Sequence, residues 1–161
     1  MPTNARKTRS QRTHNAVALL KSDHAEVSAL FGKYDRGAKR LKSDQKAALA
    51  QQICDALSVH AKIEEEIFYP ACHDHVAKAE DLLAEAKVEH QSLKELMAKI
   101  EREQPGSEEY DAQVKVLAEY VKHHVKEEQN ELFPKVRKSD MDLNAVGEQL
   151  ASRKEQLQNS A

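Results

Sequence analysis

Apolar side chains recur at intervals of three and four residues along four long stretches of this chain. That spacing places them on one face of an α-helix, so each stretch predicts an amphipathic helix with a core-facing stripe. The predicted helices cover approximately residues 14–37, 43–70, 76–103 and 107–137. A short fifth helix is predicted after residue 139, carrying Leu143, Val146 and Leu150.

Residues that start or stop helical structure set the boundaries of these helices. Gly37 supplies a stop, and Ser43 and Ser107 are candidate N-caps. Pro70 is expected to end or kink the second helix, because proline removes a helical N–H. The connections are short, so neighbouring helices should run antiparallel. The predicted fold is all-α: an antiparallel up-down-up-down four-helix bundle with a short C-terminal fifth helix.

The composition agrees with a helical domain and narrows the choice of partner. Only four of the 161 residues are glycine and four are proline, whereas 32% are charged, a mix typical of helices. We expect a flexible basic tail over residues 1–13, a bundle over 14–138, and a C-terminal helix and tail over 139–161. The net charge of −2 gives no electrostatic case for a nucleic-acid or membrane partner.

Two features of the sequence favour the cytoplasm. No apolar run is long enough to span a bilayer or to form the core of a signal peptide. Cys54 and Cys72 would lie about 27 Å apart on one helix, too far for a disulfide. Two reduced thiols fit a reducing compartment. The oligomeric state stays open.

A His-x-x-x-Glu spacing occurs twice in the chain, and a proline follows each copy six residues after the glutamate. A single histidine precedes each copy, by 36 residues in the first half and by 34 in the second. Residues i and i+4 share a helix face, so the side chains of both copies could converge inside a bundle. The chain is thus an internal duplication that offers six metal-ligating side chains: His24, His60, Glu64, His90, His124 and Glu128.

Six ionisable groups on core-facing stripes need a compensating partner. A buried carboxylate costs several kcal/mol unless it is paired or bound to a metal. Imidazole nitrogen and carboxylate oxygen, with no thiolate, suit iron, manganese or zinc. Two copies suggest two metals, each held by two histidines and bridged by both glutamates. A bridging oxide or hydroxide would leave an octahedral iron one open position for dioxygen, peroxide or nitric oxide.

These six residues resemble the hemerythrin-like HHE cation-binding family, whose pattern is His … His-x-x-x-Glu … His … His-x-x-x-Glu. The segments Glu-Glu-Glu-Ile-Phe-Tyr-Pro (64–70) and Glu-Leu-Phe-Pro (131–134) are also similar to that family. The resemblance covers roughly residues 16–136. It implies an antiparallel four-helix bundle around a non-haem di-iron centre bridged by carboxylates and oxygen. Two iron ions are the implied cofactor, with manganese or zinc as alternatives.

The chain departs from the oxygen-carrying members of that family at two positions. Those proteins have a fifth histidine where Lys94 stands, and their last motif ends in an aspartate five residues on, whereas Glu128 lies at four. These differences favour redox or peroxide chemistry, sensing or iron handling over reversible oxygen carriage. We expect a di-iron protein that binds or reduces small oxidants, with catalase-like peroxide disproportionation as its enzymatic version. The alternative is a metal- or oxygen-sensing or iron-handling module without turnover.

Several other side chains near the predicted ligands could either take part in the metal site or have no role in it. Tyr120, one turn before His124, could ligate a metal or bond to bound oxygen, or it could simply pack in the core. Glu26 and Glu89 are candidates to accept a hydrogen bond from a ligand imidazole. The adjacent carboxylates Glu65, Glu66 and Glu127 are typical of a solvated face. The sequence assigns no catalytic residue.

Overall fold

The computed structural model describes residues 15–160, and every regular element within that range is helical. The predicted basic tail at residues 1–13 and His14 lie outside the described residues. The helices, with two π-helical segments named π1 and π2, are α1 (Ala16–Gly37), α2 (Ser43–Ile63), π1 (Glu64–Phe68), α3 (Tyr69–His75), α4 (Glu80–Arg102), α5 (Glu108–Glu127), π2 (Glu128–Leu132), α6 (Phe133–Arg137) and α7 (Leu143–Asn159).

A wide π-helical turn interrupts each of the two helices that carry a His-x-x-x-Glu copy. In π1 the N–H of Tyr69 donates to the carbonyl of Glu64, and in π2 the N–H of Phe133 donates to the carbonyl of Glu128. A proline follows each turn near the start of the next helix. A proline ring clashes with the carbonyl four residues earlier in an α-helix, and the wider turn relieves that clash.

The second predicted helix differs from the structure at both of its ends. Helical structure passes through Pro70 and continues to His75, so the prediction that the helix ends at the proline is wrong. The π turn absorbs the proline instead. Ser43 is the first helical residue and not the N-cap, which is Lys42. Gln45 Oε1 accepts the N–H of this cap residue at 3.0 Å.

The third and fourth predicted helices also begin at residues set by local backbone geometry. Helix α4 begins at Glu80 and not at residue 76, because Val76 is extended and Lys78 has a left-handed φ of 58°. The predicted cap of the fourth helix is confirmed. Ser107 Oγ accepts the N–H of Tyr110 at 3.1 Å at the start of α5.

The apolar core consists of two clusters on either side of a polar layer. The first cluster surrounds the starts of α1 and α4 and the two π segments, and includes Leu20, Phe68 and Phe133. The second surrounds the ends of α1 and α4 and the earlier parts of α2 and α5, and includes Ile53 and Leu117. On each of these four helices a predicted histidine ligand falls between the two clusters along the chain. The core therefore places the four histidines at one level.

The C-terminal helix is longer than predicted and covers one side of the molecule. Helix α7 has 17 residues and packs on α1, α2 and π1. Leu150 is fully buried in the first core cluster. Lys154 Nζ donates to Asp23 Oδ1 at 2.5 Å, and Arg153 Nε donates to Glu66 Oε2 at 2.7 Å. The prediction of a short fifth helix is therefore wrong in length.

Two further features bear on the predicted surroundings of the protein. None of the helices within residues 15–160 is both long enough and apolar enough to cross a membrane. Cys54 and Cys72 are buried free thiols, as the sequence predicts. Burial raises the pKa of Cys54 to about 11, so this thiol keeps its proton near neutral pH.

We predict that Leu150→Ala lowers the free energy of unfolding by about 2–5 kcal/mol, because it removes a fully buried side chain that α7 packs on the core. Urea unfolding followed by circular dichroism measures the change. The matched control is Gln149→Ala, which alters an exposed position of the same helix. Equal stability of the two variants would show that α7 does not contribute to the core.

Candidate metal centre

All six residues of the duplicated pattern are buried and lie together. Each of α1, α2, α4 and α5 contributes one histidine, and the two glutamates open π1 and π2. None of the six is more than 7% exposed. We call His24 and His60 the first pair and His90 and His124 the second pair.

Each carboxylate turns one oxygen toward each histidine pair. The geometry is that of a bridging group, since both oxygens face imidazole nitrogens on opposite sides. The four contacts join Nε2 of His60 to Glu64 Oε1, Nε2 of His90 to Glu64 Oε2 (3.6 Å), Nε2 of His24 to Glu128 Oε1 (3.3 Å) and Nε2 of His124 to Glu128 Oε2 (3.5 Å). The six residues therefore form two adjoining groups that share their carboxylates.

The donor atoms of this cluster fit a cation. Both oxygens of Glu64, Oε1 of Glu128 and Nε2 of His24 and His60 are buried without a hydrogen-bond partner among residues 15–160. An unpaired buried polar atom costs about 1–3 kcal/mol, and more if it is charged. Candidate ligand atoms from the first pair and both glutamates lie within 4.8 Å of one another, as do those from Glu64 and the second pair. A metal bound to each group would satisfy these atoms.

In each half, the histidine of the His-x-x-x-Glu copy has a carboxylate beside its Nδ1 atom. The residue that supplies this carboxylate directly precedes the lone histidine of the same half in the chain. Asp23 Oδ2 lies 2.9 Å from Nδ1 of His60, and Glu89 Oε1 lies 3.0 Å from Nδ1 of His124. Such partners orient an imidazole so that Nε2 faces the metal. The interpretation of Glu89 as a partner is confirmed. Glu26 is exposed, and Asp23, which faces α2, has that role in the first half.

The other two histidines have partners that directly follow a motif glutamate. Glu65 Oε2 lies 3.0 Å from Nδ1 of His90, and the side-chain amide of Gln129 lies 2.9 Å from Nδ1 of His24. Lys94 Nζ donates to Glu65 Oε1 at 2.6 Å. The ammonium group of Lys94 thus lies outside the cluster. The partner role of Glu65 was not predicted, because three consecutive glutamates indicate a solvated face.

The two π segments bring different aromatic rings to the two halves of the cluster. In a π turn, residue i+5 lies over residue i, and that position is Tyr69 in π1 and Phe133 in π2. Tyr69 Oη donates to Glu128 Oε2 at 2.7 Å and lies 3.3 and 3.5 Å from the Nε2 atoms of the second pair. Phe133 stacks on His24 with ring centroids 6.0 Å apart. A hydroxyl therefore faces the second pair and a hydrocarbon ring faces the first.

The sequence points to the wrong tyrosine. Tyr120 is 52% exposed, so neither interpretation of it, as a ligand or as a core residue, is correct. The buried stripe of α5 passes through Leu117 and Val121, and position 120 falls at its edge. Tyr69 is missed because regular α-helical spacing places Phe68 on the face of the glutamate four residues earlier. The proline that follows Tyr69 is the signal that could have indicated a wider turn.

Raised pKa values keep a proton on two imidazoles of the cluster near neutral pH and offset part of its negative charge. Burial alone would lower the pKa of His60 and His124, but the neighbouring carboxylates raise it by more. The pKa of His60 rises to about 10 beside Glu64, and that of His124 rises to about 11 beside Glu128. Burial alone would raise the pKa of Glu128, yet the adjacent imidazoles of His124 and His24 hold that pKa well below its usual range. A metal ion would have to displace these protons.

A small apolar cavity adjoins the four histidines. Its volume of about 20 Å³ is enough for one molecule the size of water. The stem of Lys94 and all four imidazoles contribute to its lining. The apolar walls come from Val27, Leu57, Leu93, Met97 and Val121.

Comparison with known proteins places this site in a family. The sequence profile of the hemerythrin HHE cation-binding domain matches residues 15–136. The crystal structure of a hemerythrin HHE cation-binding-domain protein from Mycobacterium kansasii superposes with a TM-score of 0.75 at 24% identity, over 91% of this chain and 88% of that one. That likeness shows a common hemerythrin-like helical fold.

Two sequence relatives differ in how much of their length this chain spans. An uncharacterized Mycobacterium tuberculosis protein is 25% identical over 149 residues, which are 91% of this chain and 89% of that protein. A DNA nickase from Nostoc is 28% identical over 123 residues, which are 76% of this chain and 34% of the nickase. The chain thus spans about a third of the nickase. The family match covers residues 15–136, which include all six residues of the duplicated pattern. On this match, the chain belongs to the hemerythrin HHE cation-binding domain family.

Proposed function

We propose that this protein is a non-haem di-iron protein that binds or reduces small oxidants such as dioxygen, peroxide or nitric oxide. The observation that carries the proposal is the division of each carboxylate between two histidine pairs. One iron would be held by His24 and His60 and the other by His90 and His124. Glu64 and Glu128 would bridge them. Nitrogen and oxygen donors without thiolate suit iron, with manganese or zinc as alternative occupants.

The arrangement of the helices supports an antiparallel up-down-up-down bundle around this centre. The first core cluster joins the starts of α1 and α4 to the two π segments, and the second joins their ends to the earlier parts of α2 and α5. Short connections between successive helices favour the same topology. Helix α7 adds to the bundle on the side of α1 and α2.

The residues around the centre limit what can reach it and where a proton is held. When bound, iron supplies redox chemistry and an open coordination position. The small apolar cavity beside the histidines has room for one molecule of about the size of water, so it excludes bulky substrates. Tyr69 Oη holds a proton on the side of the second pair, where it donates to Glu128. Burial raises the pKa of Tyr69 well above its usual value, so that proton is retained near neutral pH.

The response of the reduced, iron-loaded protein to air and to peroxide tests the proposal and separates its two versions. Rapid loss of peroxide supports catalase-like disproportionation. A reversible change in the absorption spectrum without turnover supports the alternative, a sensing or iron-handling module. No response of the iron to either oxidant would contradict the proposal.

We predict about two iron atoms per chain after expression in iron-replete cells, because each of the two glutamates contacts a histidine of both pairs. Elemental analysis of the purified protein measures the ratio. One metal per chain, or zinc alone under these conditions, would contradict a di-iron centre.

Removing a ligand should lower the iron content. We expect His60→Ala, Glu64→Ala and His124→Ala each to lose at least about half of the bound iron, because each leaves a neighbouring donor unpaired. The matched controls are His73→Ala and His75→Ala, which change exposed imidazoles. Iron loss in the controls, or full iron content in the ligand variants, would show that the assignment of ligands is wrong.

Metal binding should release protons at pH 7. His60 and His124 are protonated at this pH because their pKa values are raised to about 10 and about 11, and a metal needs the lone pair on Nε2. We expect about two protons per chain when metal-free protein takes up Zn²⁺ in weak buffer, and an affinity that rises from pH 6 to pH 9. A pH indicator measures the release. His60→Ala should release about one proton fewer, and a pH-independent affinity would contradict the charge state described.

Tyr69→Phe should slow peroxide consumption by at least about tenfold, because it removes the hydroxyl that donates to Glu128 and leaves the buried ring in place. Iron content and melting temperature should stay near those of the wild type. Tyr120→Phe is the control, since that ring is half exposed. Equal peroxide rates in wild type and Tyr69→Phe, at equal iron loading, would exclude a role for this hydroxyl.

A further inference from the structure

A second group of metal-ligating side chains lies at the surface beside the buried cluster. Nε2 of His123 lies 3.6 Å from Glu127 Oε2 on α5 and 3.8 Å from Glu89 Oε2 on α4. One candidate ligand atom from each of the three residues lies within 4.8 Å of the others. The side chain of His123 is 72% exposed, whereas those of Glu89 and Glu127 are about one quarter exposed. We call these three residues the outer triad.

The outer triad repeats the spacing of the buried ligands one residue earlier in the chain. His123 and Glu127 form a His-x-x-x-Glu unit directly before the buried one on α5, and Glu89 directly precedes the lone histidine of α4. A shift of one residue rotates a helical position by about 100°, so the triad faces outward from the same two helices. The duplication does not require this, because Val59 and Ile63 stand at the equivalent positions in the first half.

The charges around the outer triad favour the binding of a cation. Among residues 15–160, no lysine or arginine forms an ion pair with the carboxylates of the triad. The counterpart of Glu89 in the first half, Asp23, is paired with Lys154 of α7. Within the described part of the chain, the carboxylates of Glu89 and Glu127 therefore have only His123 and His124 as cationic partners.

A cleft connects the outer triad with the buried cluster. Glu89 and Glu127 line it, and so do the buried ligands His124 and Glu128. Glu89 spans the two sites, since Oε1 bonds to Nδ1 of His124 while Oε2 faces His123. Helix α7 packs on α1, α2 and π1, away from this cleft between α4 and α5. Glu89 therefore contacts both an exposed histidine, His123, and a buried one, His124.

We propose that Glu89, His123 and Glu127 form a surface site for a divalent cation, through which iron(II) reaches the buried cluster. Two carboxylates and one imidazole are donors that iron(II), manganese(II) and zinc(II) accept. Three ligands at the surface, of which His123 is the most exposed, hold a cation weakly and release it, as a loading site requires. The loading role rests on the proposed di-iron function, whereas the existence of the surface site does not.

Titration with Mn²⁺, followed by the electron paramagnetic resonance signal of the free ion, tests the surface site. The background is Glu64→Gln combined with Glu128→Gln, in which the buried carboxylates no longer bridge. We expect one weak Mn²⁺ site per chain in this background. His123→Ala or Glu127→Gln should weaken it by about tenfold or more, and the control His75→Ala should not. Equal Mn²⁺ binding in all these variants would overturn the surface site, whatever the buried cluster binds.

The rate of iron uptake tests the loading role. Full-length protein from iron-depleted cells is mixed anaerobically with Fe²⁺, and the bound iron is followed with time. We expect His123→Ala to load about tenfold more slowly than wild type at low ionic strength and to reach the same final iron content. Added salt should slow the wild type and narrow the difference. Equal rates in wild type and variant, with normal final loading, would overturn the loading role and leave the di-iron centre intact.

Discussion

The burial of two carboxylates and four imidazoles in one layer of the core is the constraint on which the rest of the structure depends. Isolated ionised carboxylates cannot remain in an apolar interior without a compensating charge. Glu64 and Glu128 meet this requirement only because four helices each supply a histidine at the same level. Protons on two imidazoles compensate part of the charge, and bound metal would complete the compensation. The two apolar clusters on either side hold this layer in place.

The duplication makes the site nearly two-fold symmetric, and its departures from symmetry are where function is expected. Asp23 and Glu89 hold equivalent imidazoles, but Lys154 pairs only with the first. Tyr69 places a hydroxyl beside the second pair, whereas Phe133 places a hydrocarbon ring beside the first. The second half is therefore the more polar and the more open. Both the Tyr69 hydroxyl and the proposed path for iron lie on that side.

The hydrophobic pattern and the repeated histidine spacing are enough to predict the helices and the convergence of the six buried residues, because both follow from regular α-helical geometry. What the sequence does not reveal depends on irregular backbone or on tertiary contacts. The π turns move Tyr69 into the site, and no α-helical wheel shows that move. The roles of Asp23 and Glu65 depend on how neighbouring helices pack. The length of α7 follows from its docking on the other helices, since Leu150 and Lys154 have partners there.

The magnetic susceptibility of the oxidised, iron-loaded protein at low temperature tests the central claim most directly, because it reports whether the two metals share ligands. Two ferric ions bridged by Glu64 and Glu128 should couple antiferromagnetically and give a diamagnetic ground state. The Glu64→Gln variant, which lacks one bridging carboxylate, provides the comparison. Two ferric ions in the wild type that show the full paramagnetism of independent high-spin centres would contradict a shared, carboxylate-bridged cluster.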